Sequence, residues 1–219
     1  MKVTFKRRFK VYFPIAIAVI LIGIIIALFV FRNKITAKDY FDSLNKSNYT
    51  KQIQTTTIFD EDNMLYQKIE TIIFDGEKVY HQISEKQISS DVNVEYEQTI
   101  TDIYYSKNKM YYFEDNIWKT EDFIISQRLK TYQLKTNYFS SLKFNNKFKT
   151  EGVLHGAVKN DFVNQIVAGS NLKNMSLSIV VNKDFKVQKF NINALTNNNR
   201  NVEIKNVYSY NKEIVNLPI

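Results

Sequence analysis

Residues 11–31, VYFPIAIAVILIGIIIALFVF, run for twenty-one positions without one charge. At about 1.5 Å of rise per residue a helix of that length spans roughly 30 Å, the thickness of a bilayer's hydrocarbon. A helix is also the form that satisfies backbone polar groups in lipid. Pro14 falls in the first turn, where a missing amide hydrogen costs little, and Gly23 is tolerated in a membrane span. A core helix of a soluble domain would show a polar face, and this stretch shows none. The sequence therefore predicts one transmembrane helix over 11–31.

The flanking charges orient it. Lys2, Lys6, Arg7, Arg8 and Lys10 precede the span without an acid, whereas Arg32, Lys34 and Lys38 follow it and are soon joined by Asp39 and Asp42. That asymmetry predicts a cytoplasmic N-terminus (1–10), a span (11–31) and an extracytoplasmic domain (32–219) in a single-pass cell-membrane protein. A cleaved secretory signal is the competing reading. The apolar run is long for one, and Ile35-Thr36-Ala37 puts a bulky residue where a small one is wanted. An uncleaved signal anchor is thus expected. The chain has no cysteine, so an acylated lipoprotein and disulfides are both excluded.

The net charge of +8 is largely a property of the first ten residues. Beyond position 31 there are 25 Lys and Arg against 22 Asp and Glu, a net of +3 on 188 residues. So small an excess argues against a nucleic-acid partner and leaves room for a modest attraction to anionic polymers or head groups. A chain of 188 residues can build a real core.

Thr36 to Lys46 reads as a short helix, with Thr36 as cap, Asp39 three residues on, and Tyr40, Phe41 and Leu44 as an apolar stripe. From 49 to 120 strand follows strand. Residues 53–59 precede the break Asp60-Glu61-Asp62-Asn63; 64–74 meet 78–88 across Asp75-Gly76; 92–105 meet 109–113; and 117–119 follow Asp115-Asn116. This is an antiparallel meander. Between 121 and 142 the period changes, with Ile125, Leu129 and Tyr132 at helical spacing, which predicts one or two helices. Residues 148–158 read as a strand with Gly152 and Gly156 at bulge or close-approach positions, and 160–168 as a helix capped by Asn160. Three strands complete the chain, the second changing phase between Val187 and Phe190, a sign of a bulge or of a strand that uses both faces.

Two phrases, IYYSKNKMYYFEDNIWKTEDF (103–123) and VEIKNVYSYNKEIVNLPI (202–219), together with the order of elements, resemble the LolA/LppX-like superfamily of lipid and lipoprotein carriers of the cell envelope. The resemblance covers about 36–219 as architecture. It implies an α+β fold, a strongly curved antiparallel sheet or half-barrel packed on a few helices, with an apolar cavity between sheet and helices. It also implies non-covalent binding of acyl chains or partner proteins, no cofactor and no catalysis. The family's soluble carriers and Cys-anchored lipoproteins differ from a chain with an uncharged N-terminal stretch and no Cys.

Nothing in the sequence assembles a familiar catalytic site. His81 and His155 stand alone in separate strands, and a surface or core role explains them better than a metal does. Asp60 to Asn63 begins like a calcium loop, but Leu65 and Thr71 occupy the positions that need Gly and Glu. Glu95, Glu97 and Asp102 fit a wet strand face as well as a hydrolase. What remains is the aromatic load of 14 Tyr, 16 Phe and one Trp, concentrated around Tyr104, Tyr105, Tyr111, Tyr112, Phe113 and Trp118. The leading expectation is a membrane-anchored, non-catalytic protein holding lipid or another apolar ligand in a groove lined by Met110, Tyr112, Trp118, Phe190 and Ile192. A second reading is a structural or signalling module that docks another envelope protein, and a third is an envelope hydrolase.

Overall fold

The computed structural model describes residues 19–25, 35–46, 48–87, 97–123, 132, 134–146, 148–167 and 171–218. The chain divides into two compact units, Met1–Ile35 and Thr36–Ile219.

In the first unit, residues 19–25 are helical and their apolar side chains are exposed. Among the described residues no helix is long and apolar enough to cross a membrane. The expected single-pass span, and the cell-membrane location and topology built on it, are corrected accordingly. Hydropathy reports where side chains prefer to be, whereas crossing also needs about twenty residues of continuous helix. The rest of 11–31 lies outside the described residues.

Among the described residues the second unit is one open antiparallel sheet of eleven strands in the order β6-β5-β4-β3-β2-β1-β11-β10-β9-β8-β7. The chain starts near the middle with β1 (Lys51–Asp60) and steps outward through β2 (Asn63–Asp75), β3 (Lys78–Gln87), β4 (Glu97–Ser106) and β5 (Lys109–Glu114) to the edge strand β6 (Ile117–Asp122). It then crosses to the opposite edge, β7 (Phe139–Phe144), and returns through β8 (Glu151–Val158), β9 (Leu172–Asn182) and β10 (Val187–Thr196) to β11 (Asn201–Ser209) beside β1. Two meanders are thus joined edge to edge at β1 and β11. Local chemistry sets the hairpins. Gly76 turns with φ near 60° between β2 and β3, and Asp115 and Asn116 both adopt positive φ between β5 and β6.

The few helices correct the α+β half-barrel expectation. Helix α1 (Ala37–Lys46) forms as its sequence predicts, with the Asp39 carboxylate accepting from the Thr36 amide at 2.7 Å and from its hydroxyl at 2.8 Å. The helix expected over 160–168 is only a 3₁₀ turn, Asn160–Phe162, followed by α2 (Val163–Ile166). Asn160 does not cap it, because its side-chain oxygen accepts instead from the amide of Asn174. Within 121–142, Glu121 and Asp122 stay in β6, a 3₁₀ turn covers Thr136–Tyr138, and residues from Phe139 form β7; 124–131 lie outside the described residues.

Alpha-helix α1 covers one face of β7 to β10. Tyr40 packs on Phe144, Phe148 and Phe185, and Phe41 stacks on Phe139 at 5.5 Å. Gly152 and Gly156 make these contacts possible: a Cβ there would lie 2.2 Å from the Phe148 ring and 2.6 Å from Phe139. Along β9 and β10, Met175, Leu177, Ile179, Val181, Phe190 and Ile192 point to this helix-side face and are buried. The phase change in β10 is the expected bulge, with the register shifting between Val187 and Lys189.

Candidate functional site

Cross-strand register carries the helix-side face from β10 to β5. Phe190 lies opposite Asn206, which lies opposite Gln54, then Glu70, Ile83 and Thr101. The neighbouring row runs Tyr208, Gln52, Ile72, His81, Ile103, Tyr112. The same face is thus wholly apolar in β9 and β10 and becomes mixed at β11 and β1.

The polar members of these rows are linked. Asn206, fully buried, donates to the Phe190 carbonyl at 2.9 Å and accepts from Gln52 Nε2 at 2.9 Å. Tyr49 donates to Gln52, and Tyr132, from the crossing between β6 and β7, reaches Gln54 Oε1 at 3.4 Å while its ring packs edge-on against Phe190 at 4.6 Å. Gln54 donates to Glu70 Oε2 at 3.2 Å. The other Glu70 oxygen faces both His81 Nε2 and Lys68 Nζ at 3.4 Å, and Lys68 also reaches Glu85 at 3.5 Å. Apolar side chains border this cluster: Val79, Ile103 and Tyr105 form a small core packed by Ile72, Phe74, Ile83 and Met110.

Charged groups this close to apolar walls are costly unless paired. The side chains of His81, Glu70, Lys68 and Glu85 are 12%, 18%, 27% and 41% exposed, so the cluster is half sunk into the sheet's surface. His81 Nε2 is buried, and its 3.4 Å approach to Glu70 does not have hydrogen-bond geometry. Burial pushes the Tyr132 hydroxyl up to about 12, with lesser contributions from Tyr49 and the Glu70 charge. Tyr66 is raised as well, first by burial and then by Glu85. Chemically, the arrangement offers a carboxylate, an ammonium and an imidazole beside an apolar floor, which suits an amphipathic molecule.

The residues expected to line a groove do not meet. Met110 joins the small core, and Tyr112, on the same face of β5, donates to Glu121 at 2.8 Å. Phe190 and Ile192 are fully buried in β10, with five strands in between. Trp118 is on the opposite face of β6, touching Tyr104 at 5.5 Å and Phe113 at 5.3 Å. Asp102 also faces that side, accepting from Tyr80 and Gln82, while Glu95 lies outside the described residues. His155, with Lys143, Ser176, Ser178 and Asn193, lines a depression of about 350 Å³. Among the described residues no group of three His, Cys, Asp or Glu could hold a metal ion.

Sequence reasoning missed Lys68, Glu70 and Glu85. The signal was available: the two-residue turn Asp75–Lys78 fixes Lys68 opposite Glu85 and Ile72 opposite His81, which places Glu70 diagonal to the histidine.

No protein-family model matches the chain, and no curated protein matches it. Fourteen solved chains are similar in structure. One, described as the crystal structure of LprF from Mycobacterium bovis, is 10% identical, covers 84% of this chain and 98% of its own, and has a TM-score of 0.44. A score that low supports a resemblance in outline and carries no functional argument.

Proposed function

We propose that the chain is a non-catalytic binding protein that holds an amphipathic, lipid-like molecule on the helix-side face of β1 to β5. The apolar part of the ligand lies on Ile72, Ile83, Ile103 and Met110, and its polar end meets Lys68, Glu70, His81 and Glu85. One observation carries this reading: a half-exposed charged cluster set into an apolar strand face, on the side of the sheet that elsewhere forms the core. Ligand sites combine such apolar area with a few convergent polar groups. Glu70 is held by Gln54, Lys68 and His81, which suits fixed recognition more than proton transfer.

The test is mass spectrometry of organic extracts from the purified full chain. A long-chain amphiphile should accompany the wild type, be lost in Ile83→Glu and Ile103→Glu, and persist in Phe113→Ser on the opposite face. If nothing is extracted, and a fluorescent long-chain fatty acid shows no saturable binding, the proposal fails. A protein partner is the second reading, favoured by the exposed Phe113 and Trp118. It predicts the reverse sensitivity.

A further inference from the structure

The outer edge of β6 has a property that its composition hides. The turn at Asp115 and Asn116 makes Glu114 and Ile117 the closing pair of the hairpin, so Ile117, Lys119 and Glu121 direct their backbone groups toward β5. The amide of Phe123 donating to Asn108 continues that pattern. Trp118, Thr120 and Asp122 therefore turn their N–H and C=O groups outward, and β6 ends the sheet with no strand beyond it among the described residues. Edges usually carry charges that discourage pairing. Here the order of those charges is self-complementary.

We propose that two copies of this chain associate by antiparallel pairing of their β6 edges about a two-fold axis at Thr120. In that register Trp118 faces Asp122 of the second copy and Thr120 faces itself. Each outward N–H then meets an outward C=O. On the helix-side face, Lys119 of each copy lies opposite Glu121 of the other. The neighbouring registers are excluded by the same charges. An axis at residue 119 sets lysine against lysine, and one at 121 sets glutamate against glutamate. Both groups are already positioned, Lys119 by Glu114 and Asp115 at 2.6 and 2.8 Å and Glu121 by Tyr112. An ammonium has three hydrogens, so Lys119 retains one for the second copy. On the opposite face Trp118 and Phe113, 41% and 52% exposed, become part of one aromatic patch running across the axis. The other edge, β7, is interrupted by a bulge between Phe139 and Ser141 and offers no such register.

The chain contains no cysteine, so the register can be read directly by introducing one. Directly opposed residues of an outward pair stand about 5.5 Å apart at Cα, a distance a disulfide bridges. The full-length Thr120→Cys variant should form a disulfide-linked homodimer under mild oxidation. Trp118→Cys and Asp122→Cys should not, because each is displaced from its own copy by about 13 Å along the strand. In the Thr120→Cys background, Lys119→Glu or Glu121→Lys should slow cross-linking about tenfold, and the double charge exchange should restore it. Circular dichroism of each variant confirms that the sheet persists. Equal cross-linking at 118, 120 and 122, cross-linking indifferent to the charge changes, or no homodimer from Thr120→Cys would each overturn the proposal. So would capture of only a foreign chain.

Discussion

The two halves of the sheet share a face and differ in what it is used for. In β8, β9 and β11 fully buried residues alternate with half-buried or exposed ones, the pattern of a strand packed on one side. In β2 and β3 almost every residue is half-buried, on both faces. The first half is sealed by Tyr40, Phe41, Phe139, Phe148 and Tyr132, with glycines at 152 and 156 letting the rings approach. The second half holds Glu70, Lys68 and His81 where the first holds Ile179, Leu177 and Ile192. Stability is therefore concentrated in β7 to β11 with α1, and β1 to β5 carry the polar groups that a scaffold alone does not need.

Truncation is the strongest way to break this comparison. Phe190 is fully buried against Tyr132, so Phe190→Ala should cost about 3–5 kcal/mol of unfolding free energy in denaturant titration. Ile83, half-buried beside the small core, should cost no more than about 2 kcal/mol when changed to Ala. Equal losses would mean that the halves are one cooperative core, and the division of labour would fall.

Alkaline titration probes the seam between them. Tyr132 bridges Phe190 and Gln54, and its hydroxyl titrates near 12 when folded against 10.0 in the unfolded chain. The folded pKa is the higher one, so the stabilisation is complete below pH 10 and is lost as pH rises from 10 through 12. Over that window the unfolded chain ionises first. Tyr132 alone should then remove about 3 kcal/mol, and Tyr132→Phe should flatten the decline by that amount. Denaturation midpoints between pH 9 and pH 12 check this, and an unchanged slope in the variant would detach Tyr132 from the seam.

Much of the architecture was legible in the chain because its signals are local. Asp75-Gly76, Asp115-Asn116, the Thr36–Asp39 cap and the phase change before Phe190 each act over a few residues, and each formed as read. What failed depended on distant partners. Asn160 looks like a cap, yet the amide of Asn174 claims its side chain. The helical spacing of Ile125, Leu129 and Tyr132 extends the helical expectation to residue 142, but pairing with β8 makes 139–142 part of a strand. Residues 11–31 carry no charge, yet among the described residues no helix is long and apolar enough to cross a membrane. An aromatic hairpin with large side chains on both faces does not reveal which face a strand turns inward, and Trp118 lies on the face opposite Met110 and Tyr112 while Phe190 is buried in β10. The charged cluster was hidden because two residues of alternating charge look like any wet strand until the hairpin register puts Lys68 beside Glu85.

The smallest expected change sharpens the contrast most. His81 sits between Ile72 and Ile103 on the helix-side face, and its buried Nε2 makes no hydrogen bond and only a long contact with Glu70 at 3.4 Å, an arrangement that does little for a scaffold. A leucine there removes the weakly paired nitrogen and fills similar space, while Glu70 keeps Gln54 and Lys68 as partners. His81→Leu should therefore shift the unfolding free energy by less than about 1 kcal/mol in either direction while abolishing retention of the amphiphile. Asn206→Leu provides the reference in the packed half. It deletes two good hydrogen bonds at a fully buried site and should be markedly destabilising. A His81→Leu loss as large as that of Asn206→Leu would make the polar rows a structural device throughout, and the binding face would lose its strongest support.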